Sequence, residues 1–151
     1  MNDHNIPSII QANRKNASPL PNMSTFQIWE TMLEKSICAK SRAGILARKF
    51  THLVDVNFRE QHSPLFYACE LNISKSYLRK ICNKAIGLAP SDYIYARLML
   101  EASTLLKGQD KTVKEIGFDL GFKYPSHFSR FFKAQSGLSP DGYQILHLKA
   151  G

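Results

Sequence analysis

The sequence predicts an all-α protein: two helix-turn-helix subdomains joined by a long linker helix, preceded by an amphipathic helix and a disordered N-terminus. Three observations carry this. Apolar residues recur at three- and four-residue spacing through most of the chain after residue 23. Two stretches, about 63–87 and about 112–137, repeat one order: a short helix carrying acid, a tight turn, and a second helix rich in base. Between them, about 89–107, runs one unbroken helical pattern.

Residues 1–22 are rich in Asn, carry Pro7, Pro19 and Pro21, and keep no period, so they read as disorder or linker. In 23–40, Phe26, Trp29, Leu33 and Ile37 line one face of a connector helix that Ser24 can cap. That stripe either docks on the same chain or meets another subunit or a further domain. From 41 to 147 the pattern is that of one folded domain. It opens with a helix over 41–58 that points Leu46, Phe50, Leu53 and Val54 inward and Arg42, Arg48, Lys49 and Arg59 outward. In the first helix-turn-helix, Ser63 and Pro64 start the short helix, Asn72 and Ile73 make the turn, Ser74 caps the second helix and Gly87 ends it. Leu71, Ile73, Leu78, Ile81 and Ala85 should pack, leaving Ser76, Arg79, Lys80 and Asn83 on one outer face. The linker helix aligns Ile94, Leu98, Ala102 and Leu105, ends at Gly108, and is roughly 27 Å long. In the second unit Thr112 and Glu115 form a capping box, Gly121 permits the turn, and Pro125 suits the first turn of the next helix. There Phe128, Phe131 and Phe132 face inward, while Ser126, Ser129, Arg130 and Lys133 share the other side. The residues from His147 onward read as a short tail.

The 151 residues carry a formal net charge of +8. Residues 1–39 are neutral, and seventeen basic against nine acidic residues lie beyond them. The stretch 74–84 contributes +4 without an acid, from Lys75, Arg79, Lys80 and Lys84, and 123–135 contributes +3. Positive charge segregated into two helices favours a polyanionic partner over an indifferent basic surface. Cys38, Cys69 and Cys82 lack metal or disulfide spacing and read as reduced packing residues, and the five histidines show no ligand pattern. There is no Gly-rich phosphate loop, nucleophile elbow or spaced carboxylate motif, so no catalytic residue, metal or cofactor is expected. No apolar run reaches the ~18 residues of a membrane span, and the N-terminus lacks a signal peptide's pattern. A cytoplasmic protein is expected.

The second unit resembles the second helix-turn-helix of the AraC/XylS family of bacterial transcription regulators. The resemblance rests on Ile116, Leu120-Gly121-Phe122, Phe128-Ser129-Arg130, Phe132-Lys133, Gly137, Ser139-Pro140 and Tyr143. The first unit is similar through Ala68, Leu71, Ile73-Ser74 and Tyr77-Leu78, and the linker helix through Tyr93-Ile94, Arg97-Leu98, Ala102 and Leu105-Leu106. Gly117 departs from the Ala usual there, at about 1 kcal/mol of helix propensity.

The resemblance implies a sequence-specific regulator that places two recognition helices in successive major-groove segments of double-stranded DNA. By motif position its base readers are Ser76, Arg79 and Lys80 in the first unit and Pro125, Ser126, Ser129 and Arg130 in the second. Chemistry independently favours Arg79 and Arg130, because a guanidinium can bind guanine O6 and N7 together. Pro125 has no donor and offers only apolar contact. Lys75, Asn83, Lys84, Thr112, Lys123 and Lys133 are the candidate phosphate contacts, along with backbone N–H groups at the helix starts near Ser63 and Thr112. Arg97 has two readings, an ion pair with Glu101 or a DNA contact. The alternative is a protein-interaction module of the same fold with vestigial DNA binding, whose partner would be RNA polymerase. Self-association would use Phe26, Trp29, Leu33 and Ile37. Both a naturally short regulator and the C-terminal part of a longer one fit the sequence.

Overall fold

The computed structural model describes residues 41–149. The N-terminal stretch and the connector helix expected over 23–40 lie outside the described residues. Within them the chain is all helical, with seven helices: α1 (Arg42–Asn57), α2 (Pro64–Glu70), α3 (Lys75–Ala85), α4 (Pro90–Gly108), α5 (Val113–Asp119), α6 (Pro125–Ser136) and α7 (Pro140–Leu148).

Local chemistry sets the helix starts. The hydroxyls of Ser41, Ser74 and Ser139 accept from the backbone N–H groups of Gly44, Tyr77 and Gly142 at 3.0–3.1 Å. Each hydroxyl satisfies a donor that the first turn leaves without a carbonyl. Proline at N1 opens α2, α4, α6 and α7, where its missing N–H costs nothing. Thr112 and Glu115 form the capping box at α5: the Glu115 carboxylate accepts from Thr112 N at 2.7 Å, and Thr112 Oγ1 accepts from Glu115 N at 3.2 Å.

Two triplets share α4. Helices α1–α3 pack on one another and on α4, as do α5 and α6, while α7 lies on α4 and α6. Tyr93, Ile94, Leu98, Met99, Ala102 and Leu106 of α4 are buried. On the first side Phe50 sits edge-on to Tyr67 with centroids 5.6 Å apart, and 5.7 Å from the Tyr93 ring. The Tyr67 hydroxyl, its pKa pushed up to about 12 by burial, donates to the Gln61 carbonyl at 2.7 Å. On the second side Phe122, Phe128, Phe132 and Tyr143 form a chain of rings 5.4–6.0 Å apart. Tyr95 meets Phe131 edge-on at 5.4 Å and ties that chain to α4.

The two turns are built alike. Asn72 and Gly121 both take left-handed backbone, φ 54° and 81°. Their N–H groups donate to Cys69 O and Phe118 O, and the next N–H reaches back to Ala68 O and Gly117 O, all at 3.0 Å. Asn tolerates this conformation, but at Gly121 a Cβ would stand 1.9 Å from the Arg59 carbonyl oxygen. Gly117 has a packing role as well: its missing Cβ lets Phe128 lie close, 3.2 Å from where that atom would be.

Two sequence expectations are revised, the tail from His147 and the packing role of Cys69, while the end of the linker helix at Gly108 and the Arg97–Glu101 ion pair are observed. The chain after Ser139 turns into α7, which buries Tyr143 on Phe132, so His147 lies in a helix instead of a tail. Gly108 is the last residue of α4, and Gln109 takes the left-handed cap at φ 59°. Cys82 is buried, its thiol pushed up to about 12 by burial, whereas Cys69 is exposed. Arg97 is engaged internally on both its own helix and α1. Its Nε donates to Asp55 Oδ1 at 3.0 Å, its Nη1 lies 3.7 Å from Glu101 Oε2, and its guanidinium stands 4.3 Å above the Phe58 ring.

Gly121→Ala should cost roughly 3 kcal/mol in urea unfolding, since it combines left-handed strain with a backbone clash. Asn72→Gly, in the equivalent turn, should change stability by less than about 1 kcal/mol.

Candidate nucleic-acid interface

The core decides which faces remain free. In α3, burying Leu78, Ile81 and Cys82 leaves Lys75, Ser76, Arg79, Lys80, Asn83 and Lys84 all exposed. None of these six side chains is drawn into a hydrogen bond or ion pair among the described residues. An eleven-residue helix thus offers four cations and two short polar side chains on one open face.

In α6, burial of Phe128 and Phe132 turns Ser126, Arg130 and Lys133 outward. Arg130 sits at the middle of the exposed arc. Pro125 and Ser129 stand at its edge, half-buried, so the two serines at 126 and 129 do not share one open face as the spacing suggested. Lys123 is exposed just before the helix, its ammonium 5.4 Å from the centre of the Tyr124 ring. The Tyr124 ring in turn meets His127 edge-on at 5.2 Å. His127 is exposed on the flank of the Arg130 face, and sequence reasoning passed over it. The signal was available: it lies three residues before Arg130, one turn back on the same surface.

The structure removes one donor. The Thr112 N–H, expected to meet a phosphate, is already donated to Glu115, and its hydroxyl also bonds that carboxylate at 2.9 Å. The Thr112 backbone N–H and side-chain hydrogen bonds hold the Glu115 carboxyl below its usual range. A carboxylate therefore already occupies the positive end of α5. The Ser63 hydroxyl similarly accepts from Leu65 N at 3.3 Å.

A buried acid lies behind the first face. Asp92, in the first turn of α4, is buried, and burial pushes its carboxyl up to about 6 from 3.8, while nearby Arg79 pulls the other way. Among the described residues no group of His, Cys, Asp and Glu could hold a metal ion, and no helix is long and apolar enough to cross a membrane.

Comparison with known proteins agrees with this geometry. A family model described as a helix-turn-helix domain matches residues 67–144, just over half of the chain. Over 118 residues the chain is 29% identical to the uncharacterised HTH-type transcriptional regulator YijO of Escherichia coli, covering 75% of this chain and 40% of that protein. It is 35% identical over 77 residues to the Msm operon regulatory protein of Streptococcus mutans, 51% of this chain and 28% of that one. It is also 26% identical over 100 residues to a histidine kinase of Formosa agariphila, 66% of this chain but 7% of the kinase. The chain thus spans 40% or less of the length of these relatives. No solved structure matches.

The Asp92 carboxyl has a testable consequence. Its folded-state pKa exceeds the ordinary value, so the folded state binds its proton more tightly, and the stability this confers is lost as pH rises from about 4 through about 6. Asp92→Asn should flatten that part of the stability–pH curve and raise stability at pH 7, read by denaturant titration at a series of pH values. With its paired turns, shared long helix and family-model match, the chain belongs to the AraC/XylS family of helix-turn-helix regulators.

Proposed function

We propose that this chain is a sequence-specific, DNA-binding transcription regulator that acts by binding and not by catalysis, with residues 41–147 as its DNA-binding domain. The observation that carries this is the pair of equivalent turns, each presenting a second helix whose basic outer face makes no hydrogen bond or ion pair among the described residues. Free cations on a rigid helix are what phosphate neutralisation requires, and counterion release then makes affinity steeply salt-dependent. Lys75, Asn83 and Lys84 around α3, and Lys123 and Lys133 around α6, take the phosphate role. Thr112 is the weakest of that set because its N–H is engaged.

Specificity requires side chains at base edges. Arg79 and Arg130, each at the outward part of its helix, are the principal readers. Ser76 and Lys80 flank the first and Ser126 the second. Ser129 and Pro125, at the edge of their face, reach only what approaches that shoulder. His127 is added to the readers, oriented by its contact with Tyr124. Helix α4, nineteen residues and roughly 28 Å long, supports placement of the two readers in successive major-groove segments about 34 Å apart.

The names of two of these relatives, a transcriptional regulator and an operon regulatory protein, support transcription control, and a cytoplasmic location follows from that role. RNA polymerase is the protein partner such a role implies. Self-association is assigned to the Phe26, Trp29, Leu33 and Ile37 stripe. Sedimentation showing a monomer at high concentration, with and without DNA, would exclude it.

Selection of bound fragments from a random duplex pool at about 150 mM salt tests the main reading. The expected product is a motif of two half-elements about one helical turn apart. Arg79→Ala and Arg130→Ala should each relax one position in a different half-element and cost about 1–3 kcal/mol. Lys84→Ala should instead weaken all duplexes alike and lower the salt slope by about 1. No enrichment from the pool would transfer belief to the protein-interaction reading.

A further inference from the structure

The two triplets make at most marginal helix-to-helix contact with each other, so their relative placement rests on α4 and on whatever loop contacts cross between them. One loop does cross. The segment joining α1 to α2 leaves the first triplet, touches the middle of α4, and ends against the turn of the second.

Its residues are fixed one after another. Phe58 is buried, with the Arg97 guanidinium of α4 over its ring. Arg59 pairs with Glu101 of α4. The Gln61 carbonyl accepts the buried Tyr67 hydroxyl. His62 then reaches across: its Nε2 lies 2.8 Å from the Leu120 carbonyl, so the imidazole N–H donates there, and its ring lies 5.0 Å from Phe122. Gly121 closes the contact from the other side, its backbone lying against the Arg59 carbonyl so closely that no side chain fits between. Leu120, Gly121 and Phe122 are the turn that aims α6.

We propose that the α1–α2 loop is a second strut that, together with α4, sets the spacing and angle between the two recognition helices, with His62 as its positioning residue. This rests on the two-helix DNA reading above. A single shared helix fixes the separation of the two bodies packed on it, but each body can still tilt and twist about the helix axis within its own packing. A second attachment, displaced from that axis, removes this freedom. The bipartite operator would then be read at one spacing because the protein is rigid before it binds.

His62 touches none of the proposed reading side chains, so its removal separates spacing from base recognition. Selection from the random duplex pool should return one spacing between half-elements for the wild-type chain. His62→Ala should return the same half-elements with spacings spread by one or two base pairs. It should lose about tenfold in affinity on the wild-type spacing, through lost preorganisation, while isolated half-elements bind within about twofold. His62→Gln, which keeps a donor, should restore the single spacing. In the free chain, spin labels at Lys84→Cys and Lys133→Cys, with Cys38→Ser and Cys69→Ser, should report a narrow distance distribution that His62→Ala broadens. Circular dichroism checks that every variant is folded at the temperature used. An unchanged single spacing with unchanged label width in His62→Ala would overturn the proposal, as would parallel losses on paired and isolated half-elements. A wild-type pool holding one half-element alone would instead remove the bipartite reading, and the label widths would then decide the strut by themselves.

Discussion

The structure depends on the burial of α4 at both of its ends. Each helical triplet is a body of roughly forty residues, near the lower limit at which a single apolar core is stable alone. Neither closes its core without α4: Tyr93 completes the Phe50 and Tyr67 cluster, and Tyr95 joins the ring chain through Phe131. A helix that must serve two cores cannot bend freely, so its stiffness follows from packing and not from helix propensity.

The same burial produces the functional surface. A second helix of a helix-turn-helix has one face that the core needs and one that it does not. In α3 the needed face takes Leu78, Ile81 and Cys82. What remains is cationic and makes no hydrogen bond or ion pair among the described residues, which costs little stability in water and leaves those side chains available to a polyanion. The acids are spent elsewhere. Asp55 and Glu101 hold Arg97, Asp119 holds Lys111, and Glu115 caps α5. These acids are engaged in ion pairs and a helix cap away from the outer faces of the two second helices, which keep their positive charge.

Much of this was legible in residue order. Helix starts could be read from Ser74, Thr112 and the N1 prolines because capping depends on neighbours within four residues. The outer face of α3 could be read from spacing alone, since its apolar and basic residues separate cleanly on the wheel. The α6 face was read less well. Its serines are small enough to sit on either side of a boundary, and only the packing of Phe128 and Phe132 shows that Ser129 lies at the edge. The engaged N–H of Thr112 is a related case, in which a correctly read cap had a cost for phosphate binding that the motif does not display.

The sequence by itself determined the helical class, the two turns, the segregation of charge and the family to which those residues point. Each rests on contacts between neighbours in the chain or on periodicities of a few residues. Tertiary structure alone decided why position 121 must be glycine, where Arg97 spends its charge, that Asp92 is buried beside Arg79, and that His62 bridges to Leu120. The last contact spans 58 residues of sequence. No local rule reaches that distance; it exists because two bodies packed on one helix bring a loop of the first against a turn of the second.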